Sequence, residues 1–256
     1  MALKIATWNV NSVRVREGAV RAWVEAHSPD VLCLQETKVV DEKFPRGSFA
    51  SLGYAVETFG QPTYNGVAIL SRLPLTEVTR GLPGDAADGP RRAIAATAGG
   101  IRIVNVYVPN GSTLDSDKFA FKLEWLQRLR RSIDSTPRES DLLVCGDFNV
   151  APEARDVHDP AAWEDSVLFH PTARAALADV TAWGLTDAFR LHHAEEGLYS
   201  WWDYRLNAFK RRMGLRIDHI LVSPPLALRC TNCEIDVEPR RQPQPSDHAP
   251  VIASFG

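Results

Sequence analysis

Short apolar runs, each meeting a polar residue at one end, recur along the whole chain. Ile5-Ala6-Thr7-Trp8 ends in Asn9, and Val31-Leu32-Cys33-Leu34-Gln35 ends in Glu36. Ile103-Val104-Asn105-Val106 leads to Tyr107-Val108-Pro109-Asn110, and Leu142-Leu143-Val144-Cys145-Gly146 leads to Asp147-Phe148-Asn149. Gly214-Leu215-Arg216-Ile217 delivers Asp218. The final run, Val251-Ile252-Ala253, reverses the order, with Asp247-His248 placed before it in a proline-flanked loop. Runs of this length bounded by turn residues predict buried strands. Three amphipathic helices lie among them. Arg16 to His27 puts Val20, Trp23 and Val24 on one face, and Ser116 to Ile133 repeats Phe119, Leu123, Leu126, Leu129 and Ile133. Thr172 to Trp183 aligns Ala176, Leu177, Val180 and Trp183, with Gly184 as its stop. Strand pairs such as Gly66 to Ser71 and Ala93 to Thr97 outnumber long helices. A doubly wound parallel sheet needs a helix in nearly every crossover, so the pattern predicts an α/β fold of two stacked mixed β-sheets with helices outside.

Composition narrows the class. At 256 residues and 45% hydrophobic, the chain can build one large core, and its evenly spread apolar runs predict a single domain over 1–256. No apolar stretch reaches the ~18 residues that span a bilayer, and a strand pattern starts at once, so a soluble cytoplasmic protein without membrane association is expected. The four cysteines fit a reducing compartment: Cys33 and Cys145 fall inside apolar strands, and Cys230/Cys233 form one C-x-x-C without a second ligand pair. The net charge of −3 does not mark a nucleic-acid binder. Its distribution matters more. Lys210-Arg211-Arg212, with Arg205 and Arg216 nearby, is a basic cluster interleaved with Tyr204, Phe209 and Trp201-Trp202. On composition alone this is a solvated basic face. Beside an acidic centre it becomes a place to hold a phosphate backbone.

That centre follows from the strand ends. If the strands lie in stacked sheets with these ends together, one rim gathers Glu36, Asp147, Asp218 and Asp247 with several amides, Tyr107 and His248. Four carboxylates converge only with a cation, and hard oxygen donors point to a divalent metal. Each residue alone is weak: an Asn after a strand is usually a turn former, and Tyr107 could be core. The joint pattern is the signal.

Taken in order, Thr7-Trp8-Asn9-Val10-Asn11-Ser12, Leu34-Gln35-Glu36-Thr37-Lys38, Tyr107-Val108-Pro109-Asn110-Gly111, Gly146-Asp147-Phe148-Asn149, Gly214-Leu215-Arg216-Ile217-Asp218 and Ser246-Asp247-His248-Ala249-Pro250 resemble the exonuclease III group. These are the DNA-repair nucleases and abasic-site endonucleases of the endonuclease/exonuclease/phosphatase superfamily. Tyr64-Asn65-Gly66-Val67-Ala68, Tyr199-Ser200-Trp201-Trp202-Asp203-Tyr204-Arg205 and Gly81-Leu82-Pro83-Gly84 match that group too, so the resemblance covers nearly the whole chain. It implies a four-layer α/β sandwich and a Mg2+-dependent phosphodiesterase, with Mn2+ able to substitute. Glu36 is then the principal metal ligand, with Asn9 and Asp247 near the metal and Asp147, Asn149 and His248 around it. Asp147 is the candidate base for the attacking water, and Asn149 holds that water or a phosphoryl oxygen. His248 bonds the scissile phosphate, Asp218 orients the imidazole, and Tyr107 faces the phosphate or the leaving oxygen. Whether Asp147 or the His248-Asp218 pair takes the proton is open at this point.

The implied substrate is double-stranded DNA with 3′ ends, nicks or abasic sites, acted on by a monomer that leaves 3′-hydroxyl ends. Trp201, Leu215 and Ile217 fall where the group builds an apolar pocket for a sugar lacking its base. Asn110 and Arg205 are candidate backbone contacts, and Asn11 supports the acidic centre. One departure stands out. Before Phe169-His170-Pro171 the group's abasic endonucleases often carry a small residue, whereas this chain has Leu168. The resemblance implies a 3′-to-5′ exonuclease on duplex DNA with 3′-end processing, abasic-site cleavage or both; bulk at the pocket rim raises the alternative of 3′-terminal trimming with little abasic cleavage. Two other readings are a non-catalytic RNA- or protein-binding regulator on the same scaffold and a phosphatase of inositol phosphates or phospholipids. Retention of every acidic-centre residue opposes the first, and the Tyr-Ser-Trp-Trp-Asp-Tyr-Arg segment opposes the second.

Overall fold

The structure is a computed structural model that describes residues 2–256. In chain order, its first half contains β1 (Leu3–Asn9), α1 (Val13–His27), β2 (Val31–Gln35), α2 (Arg46–Ala50), β3 (Ala55–Phe59), β4 (Val67–Ser71), β5 (Thr76–Arg80), β6 (Ala93–Ala98) and β7 (Ile101–Tyr107). Then come α3 (Asp117–Ile133), β8 (Leu142–Asp147), α4 (Pro160–Trp163), α5 (Pro171–Thr181) and β9 (Thr186–Asp187). The last elements are β10 (Asp218–Val222), α6 (Pro224–Arg229), β11 (Cys230–Ile235) and β12 (Val251–Phe255). The strands form two sheets of six, ordered β11-β12-β1-β2-β4-β3 and β5-β6-β7-β8-β10-β9. Each has one parallel pair, β1 with β2 and β7 with β8, among antiparallel neighbours, so both are mixed as expected.

Strand alternation builds the layers. Ile5, Cys33 and Ile69 of the first sheet meet Ile103, Cys145 and Ile220 of the second in a core between the sheets. The opposite faces of the same strands carry Ala6, Leu32 and Leu70, which pack with Val20, Trp23 and Val24 of α1. On the far side, Val104, Val106 and Val144 pack with Phe119, Leu126 and Leu129 of α3 and Leu177 of α5. The result is helix, sheet, sheet, helix. The helix starts differ slightly from the sequence expectation: α1 begins at Val13, and Ser116 caps α3 from outside by accepting from Phe119 N (3.3 Å). The buried face of α3 is also rotated, carrying Lys122 and Trp125 while Leu123 is only partly buried.

Beneath the rim, polar side chains tie the sheets together. Gln35 Nε2 donates to Thr7 Oγ1 (2.8 Å) in its own sheet and to Asn105 Oδ1 (2.6 Å) in the other. Asn105 Nδ2 in turn donates to the Leu34 (3.0 Å) and Ala68 (2.9 Å) carbonyls. Because the residues are buried, these bonds fix the stacking register directly below the site. No helix among the described residues is long and apolar enough to cross a membrane.

Candidate active site

The topology delivers the predicted rim. Parallel pairing puts the C-terminal ends of β1 and β2 side by side, Asn9 opposite Gln35, and likewise Tyr107 opposite Asp147 on β7 and β8. Antiparallel β10 starts at the same edge, with Asp218 opposite Asp147, and β12 leaves the loop of Asp247 and His248 beside the end of β1. Gly146 makes the last step of β8 possible. Its φ is 140°, and a Cβ there would sit 1.9 Å from the Val106 carbonyl oxygen. Glu36 and Asn149 both have φ of 50°, an uncommon left-handed conformation for non-glycine residues that turns each off its strand into the site.

Asn9 is the hub. Its Nδ2 donates to Glu36 Oε1 (2.8 Å) and to Asp147 Oδ2 (2.9 Å), joining acids from the two sheets. Asp147 also accepts from Asn149 N (2.9 Å) and Asn149 Nδ2 (3.2 Å), while Lys38 Nζ lies 2.8 Å from Glu36 Oε2. His248 Nδ1 pairs with Asp218 Oδ2 at 2.9 Å, Ser200 Oγ donates to that same oxygen (2.7 Å), and His248 Nε2 is 3.7 Å from Asp147 Oδ2. Ser246 Oγ donates to the Asn9 carbonyl (2.7 Å) and accepts from His248 N (3.2 Å), fixing the loop to β1.

The electrostatics separate two roles. Burial pushes the Asp147 carboxyl up to about 7; Asp218 and Glu36 push the same way, against His248 and the Asn9 hydrogen bond. Burial pulls His248 down, but Asp218, Asp147 and Asp247 outweigh it and push the imidazole up to about 10. Burial, with Glu36 and Asp147 adding to it, raises the Tyr107 phenol well above its usual value, so it remains a donor at neutral pH. The guanidinium of Arg92 sits 4.6 Å from the Tyr107 ring centre.

Ligating atoms of Glu36, Asp147 and His248 lie within 4.8 Å of one another, and among the described residues no other group of three does so. Two carboxylate oxygens suit a hard divalent cation, and His248 stands beside them with its Nδ1 turned to Asp218. Asp247 stands apart from that group. Its carboxylate accepts from Asn11 Nδ2 (2.9 Å) and Trp201 Nε1 (3.0 Å), so it anchors the neighbouring loops. Asn11 also receives Lys38 Nζ on its side-chain oxygen (2.5 Å). Asn110 is exposed and bonds Asn149 Oδ1 (3.1 Å). Arg205 projects into solvent, paired with Asp203 (3.0 Å). Trp201 is partly exposed, with its ring edge-on to Trp163 at 6.2 Å. Leu215 and Ile217 are fully enclosed behind it, and Leu168 is also buried, its carbonyl accepting from Ala151 N (2.8 Å).

Lys122 is the residue that pattern reasoning passes over. It has no exposed surface, and its ammonium donates to the carbonyls of Asn110 (3.0 Å), Asn149 (2.7 Å) and Val167 (2.6 Å). Three loops that border the site thus hang from one side chain. The signal is present in the sequence: a lysine three residues after Phe119 and four before Leu126, on the apolar stripe of α3.

The same order of motifs is matched by the model of the endonuclease/exonuclease/phosphatase family, over residues 6–248. The chain belongs to that family. Among its relatives is the exodeoxyribonuclease III of Haemophilus influenzae, 36% identical over 99% of this chain and 100% of its own length. Solved structures agree. An AP endonuclease from Archaeoglobus fulgidus superposes with a TM-score of 0.96 at 44% identity, covering 99% of both chains. A 3′ phosphatase named NExo, from Neisseria and bound to a product DNA hairpin, superposes at 0.97 with 42% identity over 100% of both. The two mixed sheets with outer helices are therefore this family's α/β fold.

Proposed function

We propose that the chain is a Mg2+-dependent DNA-repair hydrolase of phosphodiester bonds. It works 3′-to-5′ on duplex DNA and processes 3′ ends, leaving 3′-hydroxyl termini. The observation that carries this reading is the hydrogen-bonded centre of Asn9, Glu36, Asp147 and Asn149 facing the His248-Asp218 pair on one rim. Full-length similarity to an exodeoxyribonuclease III and to a 3′ phosphatase bound to DNA supports the substrate class.

Each group has a part in in-line displacement. Glu36 and Asp147 would hold the cation, which supplies charge stabilisation at the phosphoryl oxygens. Asp147, held in place by Asn9 and Asn149, would accept the proton of the attacking water. His248 retains its proton far above neutral pH and so serves as a cationic donor to the phosphate, oriented by Asp218 and Ser200. His248 Nδ1 is taken by Asp218 while Nε2 faces Asp147, and this geometry supports Asp147 over the His248-Asp218 pair as the base. Tyr107 donates toward the phosphate or the departing oxygen.

A second reading, cleavage at abasic sites, is favoured by the 44% identity to an AP endonuclease. Identity to the 3′ phosphatase is nearly the same, so the side chains around Trp201 and Leu168 carry the choice. The test uses three end-labelled duplexes: a recessed 3′-hydroxyl, a 3′-phosphate and an internal abasic analogue. Each is incubated with Mg2+, Mn2+ or EDTA. Activity with either metal, loss in EDTA, and at least ~100-fold loss in Glu36→Ala are expected. Full activity of Glu36→Ala at modest Mg2+ removes the metal assignment, and the ranking of the three substrates decides between the readings.

A further inference from the structure

The stretch just before Asp247-His248 cannot hold its own shape. In Pro243-Gln244-Pro245-Ser246 two of the four residues lack an N–H, and none of the four makes a backbone–backbone hydrogen bond among the described residues. Gln244 has φ of 50°, although a residue before proline is driven toward extended backbone. A strained conformation persists only where its surroundings dictate it. Side chains do so at three successive carbonyls. Arg16 of α1 donates through Nε to the Gln244 carbonyl (3.2 Å) and through Nη2 to the Pro245 carbonyl (3.1 Å). Arg240, which follows β11, donates through Nη1 to the Ser246 carbonyl. We propose that Arg16 and Arg240 are positioning residues for the hydrolysis set out above, on which this role rests: together they clamp the backbone of 244–246 and so keep His248 at its place on the rim.

Burial decides what Arg240 can do. It is 7% exposed, and its guanidinium carbon lies 5.9, 5.6 and 5.1 Å from the ring centres of Trp202, Tyr204 and Phe209. A group so enclosed cannot reach a phosphate of DNA. Its hydrogen-bond acceptors are the Ser246 and Trp202 (3.5 Å) carbonyls, not carboxylates. Enclosing a cation is costly, and an apolar side chain of similar size often stabilises a fold as well or better. What an apolar side chain cannot supply is the bond to the loop.

Ser246 passes the constraint on. Its carbonyl is held by Arg240, while its hydroxyl donates to the Asn9 carbonyl (2.7 Å) and accepts from His248 N (3.2 Å). Tyr204 joins the two arginines: its ring lies against Arg240, and its hydroxyl accepts from Arg16 Nη2 (3.1 Å) and donates to the Pro245 carbonyl (2.9 Å). Freed from these donors, the loop can carry the imidazole away from Asp218 and Asp147, at 2.9 and 3.7 Å.

Single-turnover cleavage of the labelled duplex that the wild type cuts fastest separates chemistry from binding. Arg240→Met should lower that rate at least ~10-fold while DNA affinity, read by anisotropy in EDTA, stays within about twofold. Melting confirms that the variant is folded at the assay temperature; if it is not, Arg16→Met, which alters a partly exposed side chain, supplies the same reading. In the double variant the loss should be smaller than the product of the two single losses, because either change already frees the same loop. A second readout needs neither DNA nor metal. Trp8 Nε1 donates to the His248 carbonyl (3.1 Å) and Trp201 Nε1 to Asp247 Oδ2 (3.0 Å), so their indole proton–nitrogen NMR signals report the loop. Both should shift in each variant, while that of Trp125, buried on α3, stays. Unmoved Trp8 and Trp201 signals, a rate loss explained wholly by weaker DNA binding, or losses that multiply exactly in the double variant overturn the clamp. A wild type that cuts none of the three duplexes refutes the reaction instead, and the indole signals still decide whether the two arginines hold the loop.

Discussion

Lys122→Met removes the one side chain that holds three loops of the site. Methionine keeps most of the volume and the apolar stem but no donor, so the carbonyls of Asn110, Asn149 and Val167 lose their ammonium partner. A buried acceptor left unpaired costs ~1–3 kcal/mol, which for three sums to at most about 9 kcal/mol. Relief from burying a charge, itself several kcal/mol, offsets part of this. A net destabilisation of about 2–5 kcal/mol follows, equivalent to a fall in Tm of roughly 5–20 °C for a domain of this size. The site should suffer beyond stability, because the Asn149 backbone is tethered here and a shift of about 1 Å in a positioning group can cost ~100-fold in rate. The sign of the pH dependence is also fixed. Burial pulls the Lys122 amine down to about 7, with Asp147 opposing, against about 10.4 in the unfolded chain. The unfolded chain then binds the extra proton between these values, so wild type gains on the variant as pH rises from about 7 to 10, and none of that gain remains below about pH 7. Denaturant melts at several pH values with kcat at saturating DNA make the assay. A variant that melts within about 1 °C of wild type and retains kcat refutes the reasoning.

Asp156 has no exposed surface and bridges Arg216 (2.6 Å) and Arg190, so Asp156→Asn should cost about 3–5 kcal/mol in urea unfolding. Burial raises its pKa, but the two guanidinium groups outweigh that and hold it below the ordinary range; the wild-type advantage is complete above about pH 4 and fades as pH falls through the lower folded value. In EDTA, DNA affinity measured by anisotropy should decline as pH rises through about 7, where Asp147 acquires charge beside the phosphate, and Asp147→Asn should abolish that step. A step that persists in Asp147→Asn assigns the titration elsewhere. Leu168→Gly should raise abasic cleavage more than 3′-end trimming, read as the ratio of kcat/KM values; an unchanged ratio shows that Leu168 does not guard the pocket.

The polar rim is legible in the sequence because a buried strand that breaks into Asn9, Glu36, Asp147 or Asp218 leaves a polar group at a fixed end. Packing in two sheets then brings the ends together. Trp201 and Trp202 are less transparent. As neighbours on an extended segment they face opposite ways, one bonded to Asp247 and the other packed edge-on against Phe209, and only tertiary contacts say which is which. Lys122 escapes for a different reason. Helical periodicity places it on the apolar stripe, but its partners are backbone carbonyls of distant loops, which carry no residue-type signal. Leu215 and Ile217 show the same limit: their order beside Asp218 is readable, their complete enclosure is not.

The bond from Trp8 Nε1 to the His248 carbonyl (3.1 Å) spans 240 residues, and β1 pairs with β12 along its length. During translation the first strand therefore waits for the last before its sheet can close. His248, which completes the centre, leaves the ribosome only after Asn9, Glu36, Asp147 and Asp218 have all been made. A partial product carries the acids of the rim without the imidazole, so the centre on which the proposed phosphodiesterase chemistry rests is complete only when synthesis has reached that loop.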